Sequence, residues 1–92
     1  MVEFDWDEHN IRHLWERHRV TIDQAEAAFR DPRRVARQAV PHPLEKRRAG
    51  LGVTEEGRLL HMAWVYVGDR VRVFSARDAT DRERRVYRRR GK

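Results

Sequence analysis

Cysteine is absent from the 92 residues, so neither a disulfide nor a thiolate zinc site can form, which suits a reducing cytoplasm. No apolar run approaches the roughly 18 residues needed to cross a bilayer. The opening Val2-Glu3-Phe4-Asp5-Trp6-Asp7-Glu8 is acidic, so no secretory leader is expected there. With three prolines and five glycines, the chain shows no linker, repeat or low-complexity tract. Its apolar fraction, 39 %, supports one small core with little margin, and one domain over 1–92 is expected.

What is plentiful is charge, unevenly placed. Residues 1–68 carry 11 Lys/Arg against 11 Asp/Glu, whereas residues 69–92 carry 10 against 4, which is the whole net charge of +6. The first 31 residues are acidic, with 8 acids against 4 arginines. A surface polarised in this way attracts polyanions, nucleic acid first and anionic membrane second. The plain alternative is a solvated charged helix.

Hydrophobic periodicity places the elements. Val2, Phe4 and Trp6 alternate with acids and predict a short strand. Asp7 can cap a helix to about His18, with Ile11, Leu14, Trp15 and His18 as its inward stripe. Thr21 and Gln24 form a capping box for a second helix, with Ile22, Ala25 and Phe29 inward and Asp31-Pro32 ending it. A strand is expected within 33–40, then a loop at Pro41-His42-Pro43. A weak strand follows over 45–53, interrupted by Gly50 and Gly52. Glu55-Glu56-Gly57 reads as a turn. Residues 58–67 are apolar on both faces and should be the central strand. Gly68-Asp69 leads back into a strand over 70–76, and Thr80 with Glu83 starts a helix to about Arg89. The order β-α-α-β-β-β-β-α is an α+β fold, helices on an antiparallel sheet.

Alternation puts Val71, Val73 and Ser75 on one face of the last strand, with Arg70, Arg72, Phe74 and Ala76 on the other. Two arginines cannot be fully buried without partners, so part of the sheet should be open and basic.

These features coincide with one family. The matching residues are Trp6-Asp7, Asn10, Arg17-His18-Arg19-Val20, Ala25-Glu26, Phe29, Asp31-Pro32, Arg47, Gly52 and Gly57-Arg58-Leu59-Leu60. They continue through Arg72-Val73-Phe74-Ser75-Ala76-Arg77, Ala79-Thr80, Glu83-Arg84 and Tyr87. Over nearly its whole length the chain resembles the BrnT-type toxins of bacterial type II toxin–antitoxin systems, relatives of the RelE-like ribonucleases. Two departures stand out. Arg19 occupies a position where the family usually has glycine, so a reshaped turn is expected. Arg48-Ala49-Gly50 follows Arg47 where bulky apolar residues are usual, so that strand should be frayed or more basic.

The resemblance implies a metal-independent endoribonuclease that inhibits translation in the cytoplasm, with no cofactor. The 2′-hydroxyl attacks the neighbouring phosphate, which requires a proton acceptor, cations around the phosphorane, and an acid for the leaving oxygen. Arginine suits the cationic role because its fork grips two phosphate oxygens. Arg77, at the junction of strand and capped helix, is the first candidate; its competing reading is a salt bridge to Asp78, Asp81 or an N-terminal acid. Arg47 is the second, against a plain surface charge. Glu45, His61 and Tyr87 are the acid–base candidates, although His61 and Tyr87 read equally as packing residues. Arg70, Arg72, Arg58, Lys46, Arg48 and Arg84 are candidates for nucleic-acid contact. His9 and His13 share a helix face, but further ligands for a metal are lacking. The family partner is a ribbon–helix–helix antitoxin of the BrnA type, whose complex with the toxin binds operator DNA. A non-catalytic nucleic-acid-binding or antitoxin-partner module acting in operon repression has the same elements, as does a structural protein whose arginines pair with an acidic partner. Only an enzyme requires these groups to converge on one phosphate-sized spot.

Overall fold

The computed structural model describes residues 2–90. A five-stranded sheet, ordered β1-β5-β4-β3-β2, carries two helices on one face and one on the other. The elements are β1 (Glu3–Phe4), α1 (Glu8–His18), α2 (Ile22–Phe29), β2 (Val35–Arg37), β3 (Arg48–Val53), β4 (Leu59–Val67), β5 (Arg70–Asp78) and α3 (Asp81–Arg90). The order expected from the periodicity holds, and the strand apolar on both faces is the middle of the sheet. Strands β2 to β5 pair antiparallel, whereas β1 joins the edge in parallel through Glu3↔Arg70 and Phe4↔Val71.

The helix starts follow local chemistry. Asp7 Oδ1 accepts the Asn10 N–H at 2.8 Å, and Thr21 and Gln24 exchange the two bonds of a capping box. Thr80 and Glu83 do the same at α3. The turn after α1 is not reshaped: Arg19 adopts the left-handed conformation, φ 54°, that favours glycine. Its N–H closes the helix on Leu14 and Trp15, and its guanidinium lies 5.2 Å from the Trp15 ring.

The larger core fills the space between α1, α2 and the sheet, with Leu14, Val20, Ala25, Ala28 and Phe29 against Leu60, Met62, Trp64, Val71 and Val73. The expected α1 stripe is only partly used. Leu14 is buried, while Ile11 and Trp15 are exposed because the sheet meets α1 along one narrow line. Strand β3 is not frayed: it pairs with β4 over its full length, and Gly52 lets α2 settle closely. A Cβ on Gly52 would stand 2.0 Å from the Ala28 carbonyl oxygen. The smaller core joins Val35, Leu51, Leu59 and Ala79 to Val86 and Tyr87 of α3.

The alternation expected along β5 is broken by a bulge. Trp64 pairs with Val73 but Ala63 pairs with Ser75, leaving Phe74 as the extra residue. The phase therefore flips: Ala76 joins Val71 and Val73 in the core, correcting its assignment to the open face. Ser75 and Arg77 turn outward in exchange. With unbroken alternation Arg77 would point beneath α1; the bulge re-aims it.

Arg58 ties these layers together. Nε and Nη2 donate to the two carboxylate oxygens of Asp78, at 2.7 and 3.3 Å. Nη2 also donates to the His18 carbonyl, and Nη1 to the Arg19 carbonyl and to Gln24 Oε1. All five donors of the fork are thus used, and the fork holds the Asp78 carboxyl below its usual range. The expectation of a nucleic-acid contact at Arg58 gives way to a structural task. Arg58→Met should lower stability by about 2–3 kcal/mol, because two helix-end carbonyls and a carboxylate lose their donors together. Arg58→Lys should recover little of it, since an ammonium cannot span the same acceptors. Urea unfolding midpoints measure both, and a Met variant as stable as wild type would remove this role.

Candidate functional site

The register of the sheet places side chains in rows on the face that α3 covers only at one end. One row runs Val35, Leu51, His61, Arg77, and the next Arg37, Ala49, Ala63, Ser75. Directly opposed residues share a face, so His61 and Arg77 are neighbours. The centre of the second row carries only methyl and hydroxymethyl side chains. The result is a shallow trough floored by Ala49, Ala63 and Ser75. His61, Arg77 and α3 rise at one side. At the other, Arg47 reaches across β4 to lie 4.6 Å from the Phe74 ring centre. Arg37 stands at the β2 side.

Glu83 organises the trough. Its carboxylate accepts both branches of Arg77, Nη1 to Oε1 at 2.8 Å and Nη2 to Oε2 at 3.0 Å, while Oε1 also takes the Thr80 N–H. Bonding to Arg77, assisted by the Thr80 N–H, holds the Glu83 carboxyl down at about 2. Arg77 also donates to the Asp78 carbonyl at 3.1 Å. Its guanidinium is thus locked in direction while remaining partly exposed to the trough. The partner is neither Asp78 nor Asp81 but the glutamate of the capping box, a double use that sequence spacing does not reveal.

His61 is half-buried beside this pair. Burial, then the neighbouring Arg77, push its imidazole below the ordinary 6.5; Glu83 opposes this and Arg37 adds to it. The ring is neutral at pH 7 and can accept a proton, with two arginines, Arg77 and Arg37, and one carboxylate, Glu83, acting on it.

Other candidates lie elsewhere. Glu45 and Arg47 pair at 2.8 Å, but both precede β3 in the 38–47 segment instead of sharing a strand face. Tyr87 packs into the smaller core and donates to Asp31 Oδ2 at 2.5 Å. Burial and then this bond push its hydroxyl up to about 12, which leaves it outside the trough and unable to exchange protons near neutrality. Arg72 bonds to Asp5 and Arg70 lies 3.7 Å from Glu3, so the acidic strand β1 occupies both. Along β5, Arg72 sits roughly 15 Å and Arg70 roughly 20 Å from Arg77. Lys46, Arg48 and Arg84 are exposed. His9 and His13 stack at 6.3 Å, and no group of three metal-ligating side chains exists among the described residues. Sequence reasoning missed Arg37 and Glu83. For Arg37 a signal existed, its position two residues after the inward Val35.

Because Glu83 is depressed on folding, its contribution is complete above its unfolded value near 4.5 and is lost as pH falls toward 2. Glu83→Gln should therefore cost on the order of 2–3 kcal/mol at pH 7 and flatten the acid limb between those values. Denaturation midpoints against pH test this; parallel curves for the two proteins would exclude it.

A comparison with curated proteins found no match. Residues 6–83 match the family described as the ribonuclease toxin, BrnT, of type II toxin–antitoxin systems. The matched span contains every residue of the trough, the Arg58 anchor and the Glu83 lock, and the family implies an RNA substrate and an antitoxin partner. The chain belongs to the BrnT family of ribonuclease toxins.

Proposed function

We propose that this chain is a metal-independent endoribonuclease that cuts RNA in the trough, using His61 as the proton acceptor and Arg77 as the main phosphate-stabilising cation. The supporting observation is a neutral imidazole placed beside an arginine whose fork is locked by Glu83, on an open face with no larger side chain between them and Arg47. His61 takes the proton from the 2′-hydroxyl. The 2′-oxygen attacks phosphorus, charge grows on the phosphoryl oxygens, and Arg77, Arg37 and Arg47 stabilise it. The bond to the 5′-oxygen breaks, leaving a cyclic phosphate, while the departing oxygen takes a proton from solvent at this open surface. The nucleophile belongs to the substrate, so the protein supplies only a base and fixed positive charge.

The exposed arginines of α3 and Arg37 of the trough, which has no ion-pair partner among the described residues, suit an acidic segment of a BrnA-like ribbon–helix–helix antitoxin. Such a segment would neutralise the field and cover the site in one step, and the complex would bind operator DNA. The same RelE-like architecture fits cleavage of messenger RNA in the cytoplasm, with arrest of translation and growth.

Expression of the chain alone should stop bacterial growth, and Arg77→Lys should relieve the arrest. The ammonium keeps the ion pair with Glu83 and hence the fold, but loses the forked grip, at a loss of roughly 10²–10³-fold in cleavage rate. Cleavage by the purified protein should survive a chelator and stop when the attacked nucleotide is 2′-deoxy. The rate should also fall in acid, at a pH lower than that at which an ordinary imidazole is protonated because His61 is shifted down, and His61→Gln should lose both the rate and this limb. RNA that binds the folded protein but is never cut would establish the binding-only alternative instead.

A further inference from the structure

A second cationic depression opens beyond the trough, where the 38–47 segment turns from β2 into β3. It encloses about 260 Å³ and is walled by Arg34, Arg37, Arg47, Arg48, Trp64 and Tyr66, with no carboxylate among its lining residues. That volume lies below the range that holds a drug-sized molecule. Arg37 and Arg48 have no ion-pair partner among the described residues. Arg48 lies 5.8 Å from the ring centre of the exposed Tyr66, a loose stack into which a flat group could slide. Arg34 is held by the Phe29 carbonyl at 2.7 Å and lies over Phe29 and Trp64, 4.0 and 5.0 Å from their centres. Its position is fixed and its charge uncompensated. Trp64 is buried, and its indole N–H meets no acceptor.

We infer that this depression is a nucleotide subsite, taking one nucleotide of single-stranded RNA next to the one cleaved. Its phosphate would rest on Arg34, Arg37 and Arg47, and its base between Tyr66 and Arg48. The inference deepens the ribonuclease reading and rests on it. Two features argue for a nucleotide over a simple anion. Exposed aromatic and guanidinium planes are the surfaces on which single-stranded bases stack. Arg37 and Arg47 belong both to this depression and to the trough, whereas Arg48, Trp64 and Tyr66 stand on the other face of the sheet, so a strand whose phosphate lies beside Arg77 would reach the depression by turning round the sheet edge over Arg37 and Arg47. No carboxylate lines the depression itself, and the Glu45 that pairs with Arg47 stands outside the lining, which limits the repulsion such a strand would meet. The subsite would set which base is accepted beside the cut, by stacking, and hold the strand in register for His61.

The test uses the full chain and a short single-stranded RNA made uncleavable by 2′-O-methylation, so that binding is read without cutting. The Trp64 indole resonance, assigned through Trp64→Phe, should shift on titration. Tyr66→Leu and Arg48→Gln should each weaken binding on the order of tenfold to a hundredfold, with melting temperature retained. Arg12→Gln, an equal charge loss on α1, should change affinity little. A mononucleotide should shift the same resonance at much higher concentration, whereas inorganic phosphate alone would leave Tyr66→Leu equal to wild type. The proposal is overturned if saturating RNA leaves the indole signal in place and both variants bind as wild type. It is equally overturned if an acidic peptide, but not RNA, moves the signal, or if duplex DNA moves it as well as single strands do. Cleavage is scored separately: wild-type protein that binds through this subsite but never cuts would refute the catalytic reading and leave the subsite standing.

Discussion

Arg58 makes the contact on which the remaining structure depends, because one side chain must satisfy acceptors from four places at once. The carbonyls of residues 18 and 19 end α1, Gln24 belongs to the capping box of α2, and Asp78 closes β5. A helix end buried without donors is costly, and so is an arginine fork without acceptors. Each removes the other's penalty. Fixing Asp78 also fixes the backbone at which β5 gives way to α3, and Arg77 is the preceding residue. The same contact that closes the corner of the helices therefore positions the trough.

From that junction the site is built of parts that each do a second job. Glu83 starts α3 by bonding the Thr80 N–H and holds Arg77 with the same carboxylate. The one-residue bulge at Phe74 shifts the core-facing phase of β5 from Val73 to Ala76 and turns Arg77 outward. Economy of this kind suits a chain of 92 residues, in which little can be spared for purely catalytic scaffolding. It also explains why Arg77 is rigid: a forked ion pair half shielded by α3 restricts a guanidinium far more than an exposed pair would.

Charge is divided in space as well as along the chain. Acids in and just after the first strand meet arginines of the last one, Glu3 with Arg70 and Asp5 with Arg72, so the local excess there is offset. Beyond the α3 arginines, three without an ion pair among the described residues line the depression beside the trough, Arg34, Arg37 and Arg48, and all come from the electrically balanced first part of the sequence. The C-terminal quarter thus supplies the general field together with Arg77, while the trough's other cations, Arg37 and Arg47, come from the β2 and β3 region. This is the division expected when diffuse charge guides a polyanion and a few fixed groups receive it.

Much of the fold was legible in the sequence, because helix caps, two-residue turns and apolar periodicity act over a few residues. Asp7, Thr21, Thr80 and Gly68 mark their elements by local chemistry alone, and β4 declared itself central by being apolar on both faces. His61, Arg77 and Arg47 were recognisable as groups able to do the chemistry, since residue type is enough for that. Which of them meet was decided by tertiary structure. Alternation assigned Ala76 to the open face because a bulge depends on how two strands pair, and no residue in Val73-Phe74-Ser75 announces it. Arg58 and Tyr87 looked available until acceptors 20 and 56 residues away in the chain claimed their donors. The parallel arrival of β1, the use of Glu83 to hold Arg77, and the place of Arg37 beside His61 follow from the order and register of strands. Those are properties of long-range pairing, and a local pattern of residues carries no record of them.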